Sequence, residues 1–141
     1  EGVTAVCRGA YLPDSEYAFA KQLISAFSEI FEMDESLLDP IISVSGSSPA
    51  YVYMFIEAIA RSGENQGIDY QTALKMAAKT VLGSAKLLLN ATEDPQTLID
   101  RVCSKGGTTI EAVNHLKENN FSDLIDKAMQ KCTKRALELK K

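Results

Sequence analysis

The sequence predicts a mainly helical fold that opens on a short strand–helix–strand segment, and three observations predict it. β-Branched and apolar residues cluster at Gly2–Cys7 and again at Glu29–Met33, with a helical stripe between them. From Leu37 onward the apolar residues repeat at helical spacing. The stretches are separated by helix-end signals: Ser48-Pro49, Asp94-Pro95, Gly106-Gly107 and Asn119-Asn120.

Each element follows in order. Gly2–Cys7 reads as a strand, which needs a partner because a lone strand leaves its edges unpaired. Pro13 and Asp14 mark the first helix start, with Asp14 as N-cap; Ala20, Leu23, Ile24, Phe27 and Phe31 follow at helical spacing. Glu29–Met33 suits a second strand better than a last helical turn. Leu37 to Val44 reads as a short helix stopped by Gly46. Ser48 caps and Pro49 opens a helix reaching about Gly63. That helix is apolar nearly all round, so its extra cover is expected from another subunit. Gly67 ends the region, and Asp69 caps a long helix from about Tyr70 to Asn90. Asp94 caps a short helix through Val102. Thr108 and Glu111 form a capping box for the next helix. Asn119-Asn120 closes it in a left-handed turn, and Ser122 caps the last helix.

Composition narrows the function. A chain of 141 residues is one domain, or one and a fraction, and 45% hydrophobic with 24% charged residues is a globular balance. Fifteen Lys and Arg against 19 Asp and Glu give a net charge of −4, which argues against a nucleic-acid surface. No apolar run approaches the ~18 residues of a membrane span. The three cysteines, Cys7, Cys103 and Cys132, form neither a metal pattern nor a disulfide framework, so a reducing cytoplasm is expected. One His and no Trp leave little for His-based metal sites or triads.

Chemistry concentrates at Cys103-Ser104-Lys105-Gly106-Gly107-Thr108-Thr109. Two glycines permit close backbone approach, and the helix start that follows offers unpaired N–H groups, an anion site. The alternative is a helix–helix connection with glycines for turning and threonine for capping. The Lys precedes the glycines, so this is not a Walker-type loop. Ser45-Gly46-Ser47-Ser48-Pro49 reads as a helix break before it reads as a ligand site. His115 is a solvated helix residue rather than a base, and Cys103 a small apolar filler. Glu57, in an apolar helix, is either a paired interface carboxylate or an exposed edge. The basic C-terminal residues suit a helix dipole.

Four blocks carry a resemblance: Ser45 to Tyr53, Phe55 to Ala58, Thr80 to Leu88, and Ser104 to Val113. In residues, order and spacing the chain resembles pyrroline-5-carboxylate reductase, above all at Gly106-Gly107-Thr108-Thr109-Ile110-Glu111-Ala112-Val113. The resemblance implies a helical dimerisation domain of the 6-phosphogluconate-dehydrogenase C-terminal-like class over residues 34–141. It implies that residues 1–33 are the closing strand–helix–strand of a Rossmann-type domain. No Gly-x-Gly-x-x-Gly follows a strand here, so the expectation is a piece of a longer enzyme whose cofactor half lies elsewhere. The implied reaction is reduction of a cyclic imine to proline with NADPH or NADH, without a metal. The implied partner is a second copy, with higher assemblies of dimers left open, and the substrate is a small molecule. Implied substrate contacts are Ser104, Gly106, Gly107, Thr108 and Thr109, with the substrate carboxylate on the glycine N–H groups and Thr109 catalytic, facing the imine nitrogen. One departure from the family's pattern is Lys105, where a proline is usual; another is the polar run Gly63-Glu64-Asn65-Gln66. Two alternatives stand beside this: a non-catalytic helical dimerisation module, or the helical domain of a related imine or β-hydroxyacid reductase.

Overall fold

Gly2–Val6 forms β1 and Ser28–Glu32 forms β2, and the two pair in parallel, from Gly2 opposite Ser28 to Val6 opposite Glu32. Parallel strands require a crossover, which helix α1, Asp14–Ser25, provides. The computed structural model describes residues 2–140. Its chain forms two compact units, Glu1–Pro49 with Lys127–Lys141 and Ala50–Asp126.

In the first unit the expected strand–helix–strand order is present, and Glu29–Met33 contributes a strand rather than a helical turn. Phe27 and Phe31 therefore fall beyond the end of α1, Phe31 within β2. Thr4 and Ser28 hydroxyls meet across the strands at 2.7 Å. Glu32 ties β2 to α1: Lys21 Nζ donates to its Oε1 at 2.5 Å and Tyr17 Oη to its Oε2 at 3.0 Å. Those two bonds, Lys21 first, hold the Glu32 carboxyl below its ordinary range. Asp14 is not the N-cap. Pro13 holds that position without a side-chain bond, and Asp14 is instead ion-paired with Arg8.

The short helix expected over Leu37–Val44 is replaced by a 3-10 turn, Glu35–Leu37, and a π turn, Ile42–Gly46. Ser47 N–H reaches back to the Ile42 carbonyl at 2.7 Å, the wide spacing of a π turn. Two serines promote it by bonding backbone carbonyls: Ser43 to Pro40 at 2.8 Å and Ser45 to Ile41 at 3.3 Å. The break reading of Ser45–Pro49 thus has a physical form. Cys132 Sγ donates to Ser47 Oγ at 3.2 Å, and Lys140 Nζ meets Asp39 Oδ2 at 2.7 Å. Cys132 lies on the last helix, α6, Phe121–Leu139, and Lys140 just past its end.

The second unit is helical: α2, Ser48–Asn65, enters it, followed by α3, Tyr70–Asn90, α4, Pro95–Val102, and α5, Thr108–Glu118. Ser48 is the first residue of α2 rather than its cap, and the helix runs two residues past Gly63. Gly63 lets α3 come close: a Cβ there would stand 3.1 Å from the Ala73 Cβ. Among the described residues the buried hydrophobic ones are Ala60, Ala73 and Ala77, so α2 and α3 meet through small side chains. Gly67, at φ +94°, turns the chain between them. Asp69 and Asp94 cap as expected, accepting from Thr72 N–H at 2.9 Å and Thr97 N–H at 3.0 Å. Asn120 takes the expected left-handed turn at φ +56°. Ser122 lies inside α6 and is not its cap.

Candidate functional site

The candidate site is built by the connection between α4 and α5. Glu93 and Arg101 brace α4 through an ion pair of 2.5 Å, and Cys103 N–H closes the helix on the Ile99 and Asp100 carbonyls at 3.1 Å each. The chain then makes one tight turn: Gly107 N–H donates to the Ser104 carbonyl at 3.0 Å. Lys105 and Gly106 are the central residues, and Gly106 takes φ +71°, the requirement of a type II turn at its third position. Gly107 is glycine for a different reason. A Cβ on it would lie 2.4 Å from the Ser104 hydroxyl and 3.1 Å from the Ser104 carbonyl oxygen.

Gly107, extended at φ −81° and ψ 169°, is the N-cap of α5, and no side chain caps the helix. The capping box expected from Thr108 and Glu111 is therefore absent: Thr108 is already the first helical residue, one place too late to cap. The first-turn N–H groups of Thr108, Thr109 and Ile110 consequently meet no capping side chain, whereas the N–H of Gly107 is spent on the turn. Helix dipole and open donors together favour an anion at this end. The structure brings Ser104, Gly106, Gly107, Thr108 and Thr109 into this one turn and helix start. Ser104, Lys105, Gly106 and Thr108 are exposed, and Thr109 is half-buried.

Other residues singled out from the sequence resolve plainly. His115 is exposed on α5, its ring 3.5 Å from the Asn119 side-chain nitrogen and beside no carboxylate. Cys103 is a half-buried free thiol. Glu57 is a paired carboxylate: Tyr70 Oη donates to it at 2.5 Å and Arg61 Nε at 2.8 Å. Arg61 also bonds Glu64 at 3.1 Å and lies 4.3 Å from the centre of the Tyr70 ring. The Tyr70 hydroxyl first, and Arg61 second, hold the Glu57 carboxyl below its ordinary range. The sequence alone leaves Glu57 open between a paired interface carboxylate and an exposed edge; its i,i+4 spacing to Arg61 is the signal that could have found half of this cluster. Tyr70 comes from the next helix.

The comparisons with known proteins agree with the fold. The family model described as pyrroline-5-carboxylate reductase dimerisation matches residues 35–139. The chain is 42% identical over 140 residues to the pyrroline-5-carboxylate reductase of Escherichia coli (strain K12), a match covering 99% of this chain and 52% of that protein. With the enzyme of that name from Aquifex aeolicus it shares 36% identity over 138 residues, covering 98% and 52%. The solved 1-pyrroline-5-carboxylate reductase of Streptococcus pyogenes superposes with a TM-score of 0.91 at 34% identity, over 95% of this chain and 52% of that one. The Plasmodium falciparum pyrroline carboxylate reductase, solved with NADP bound, shares the fold with a TM-score of 0.89 at 23% identity, over 95% and 54%. The chain spans about half the length of the curated relatives it matches. It belongs to the pyrroline-5-carboxylate reductase family, whose dimerisation domain its residues 35–139 match.

Proposed function

We propose that this chain is the dimer-forming and substrate-holding part of an NAD(P)H-dependent pyrroline-5-carboxylate reductase, which makes L-proline from 1-pyrroline-5-carboxylate. Residues 34–141 form the dimerisation and substrate-binding domain, and residues 1–33 close a Rossmann-type domain. The observation that carries the reading is the family match over 35–139 coinciding with an uncapped helix start at Thr108. The substrate carboxylate docks on the open first-turn N–H groups of α5, among Ser104, Gly106, Gly107 and Thr108. Thr109 lies one residue further on, where its hydroxyl faces the imine nitrogen. Gly106 and Gly107 keep side chains out of the approach.

Apolar exposure supports a homodimer. Tyr53 and Met54 on α2 are 69% and 72% exposed, and Leu89 on α3 is 75% exposed. Among the described residues no large side chain is fully buried. Apolar surface on this scale marks an interface of the obligate class. The three cysteines are free thiols, which supports a reducing, cytoplasmic setting. No helix among the described residues is long and apolar enough to cross a membrane.

The dinucleotide does not fit the residues present. The α1 helix that follows β1 starts at Asp14, behind Pro13, and its first turn carries Asp14 and Glu16, whose charges oppose a pyrophosphate. No Gly-x-Gly-x-x-Gly precedes it. On this reading NADPH or NADH is held mainly by residues outside those present here. The test is an assay of the complete protein with pyrroline-5-carboxylate and each nucleotide. Proline formation supports the reading, and its absence with both overturns it in favour of a non-catalytic dimerisation module. This chain alone is expected to form no proline above background, since nothing in it orients the reductant.

A further inference from the structure

Residues 33–47 join β2 to α2, and their backbone is irregular: a 3-10 turn at Glu35–Leu37 and a π turn at Ile42–Gly46. Such turns are short, rare and found at hinges and functional sites more often than elsewhere. Two bonds from one helix hold this one. The Cys132 thiol on α6 donates to the Ser47 hydroxyl, at the end of the π turn. The Lys140 ammonium, just past α6, donates to Asp39 Oδ2 at 2.7 Å. Asp39 stands at the other end, where its carbonyl accepts the Ile42 N–H at 3.1 Å. These side-chain partners are 85 and 101 residues apart in sequence, so no local propensity supplies the contacts. Both bonds lie within the first compact unit. The Asp39 side chain is sheltered, 13% exposed against 88% for Asp14 in its pair with Arg8. A sheltered carboxylate that loses its cation is penalised more than a surface one. Ser43, buried in the same turn, spends its hydroxyl on the Pro40 carbonyl and leaves Lys140 as the partner described for Asp39.

We infer that Asp39 and Lys140 are positioning residues for the reduction: their ion pair fastens the start of the π turn to the end of α6 and so holds the 33–47 joint in one conformation. The inference rests on the proposed function, in which residues 1–33 belong to the nucleotide-holding part and the substrate loop follows the joint. Reduction needs the imine carbon within about 3–3.5 Å of the hydride donor, and a misplacement of about 1 Å far from the chemistry can cost about a hundredfold in rate. A joint between the parts that hold the two reactants is where such a misplacement would arise. Neither residue lies in the candidate loop, so the pair acts on turnover rather than on substrate binding.

The experiment compares the complete enzyme with its Asp39→Asn, Lys140→Gln and Lys140→Arg variants and with the Asp39→Asn/Lys140→Gln double variant. Steady-state kinetics with substrate and nucleotide each varied are read beside light scattering and thermal melts. Asp39→Asn and Lys140→Gln are expected to lower kcat about three- to tenfold, short of the loss a full 1 Å misplacement brings, with both KM values unchanged. Lys140→Arg keeps the wild-type kcat, and the double variant is no slower than the slower single one. A merely structural pair would lower the melting temperature and leave the kcat of the folded dimer unchanged. Lys140 is 61% exposed, so Lys140→Gln is expected to fold even where Asp39→Asn does not. An active wild-type enzyme whose folded Lys140→Gln variant keeps its kcat overturns the inference and leaves the proposed function standing. A wild-type enzyme that forms no proline overturns both.

Discussion

The Ser104 hydroxyl occupies the space that a side chain on Gly107 would need, its oxygen 2.4 Å from the position of a Cβ there. Gly107→Ala must therefore rotate the Ser104 hydroxyl away, and it crowds the Ser104 carbonyl oxygen, 3.1 Å from the same Cβ. Gly106→Ala acts through the backbone instead, since φ +71° is strained for any residue with a Cβ. It is expected to cost about 1–2 kcal/mol of stability. Thermal melts of both variants check the turn, and substrate KM in the complete enzyme checks the site. Gly107→Ala with an unchanged KM would show that the turn does not shape the substrate's approach.

Dimerisation is the second expectation. Tyr53 and Met54 are consecutive on α2 and both exposed, and burying them needs a partner surface. Light scattering should find a dimer at micromolar concentration, and Tyr53→Glu with Met54→Glu should dissociate or unfold it. A stable, folded, unmutated monomer would contradict the proposal.

Acid sensitivity follows from Glu57. Its carboxyl is held low chiefly by the Tyr70 hydroxyl and then by Arg61. A carboxylate whose folded value is depressed stabilises the fold above its unfolded value, and that stabilisation is lost as pH falls through the folded value. The side chain is half exposed, so the effect is small. Tyr70→Phe removes the larger cause, and the Glu57 titration followed by NMR should move up toward the ordinary carboxylate range. An unmoved titration would mean that the Tyr70 bond does not form in solution.

Legibility in the sequence followed how local each determinant is. Asp69 and Asp94 were readable as caps because the bond each accepts comes from three residues on, from Thr72 and Thr97. The two strands and the helix between them were readable from composition and spacing, whereas the pairing partner of the first strand and the register were not. Asp14 failed as a cap because Arg8, six residues earlier, pairs with it. Thr108 failed because a turn closed by Ser104 makes Gly107 the cap. The π turn at Ile42–Gly46 escaped because Ser43 and Ser45 bond backbone carbonyls that a periodicity scan does not see. Tyr70 on Glu57 was beyond reach, since 13 residues and a helix boundary separate them. At the candidate site the residues were legible and the donor set was not: the N–H of Gly107 closes the turn, so the open donors begin at Thr108.

The most direct test of the account is the steady-state kinetics of Thr109→Val in the complete enzyme. Valine keeps the shape of threonine and removes one hydroxyl, so the fold and the dimer should persist. If that hydroxyl faces the imine nitrogen, kcat/KM for pyrroline-5-carboxylate should fall by an amount equivalent to roughly 1–3 kcal/mol. Wild-type kinetics in a folded, dimeric Thr109→Val enzyme would mean that the loop is only a connection between α4 and α5.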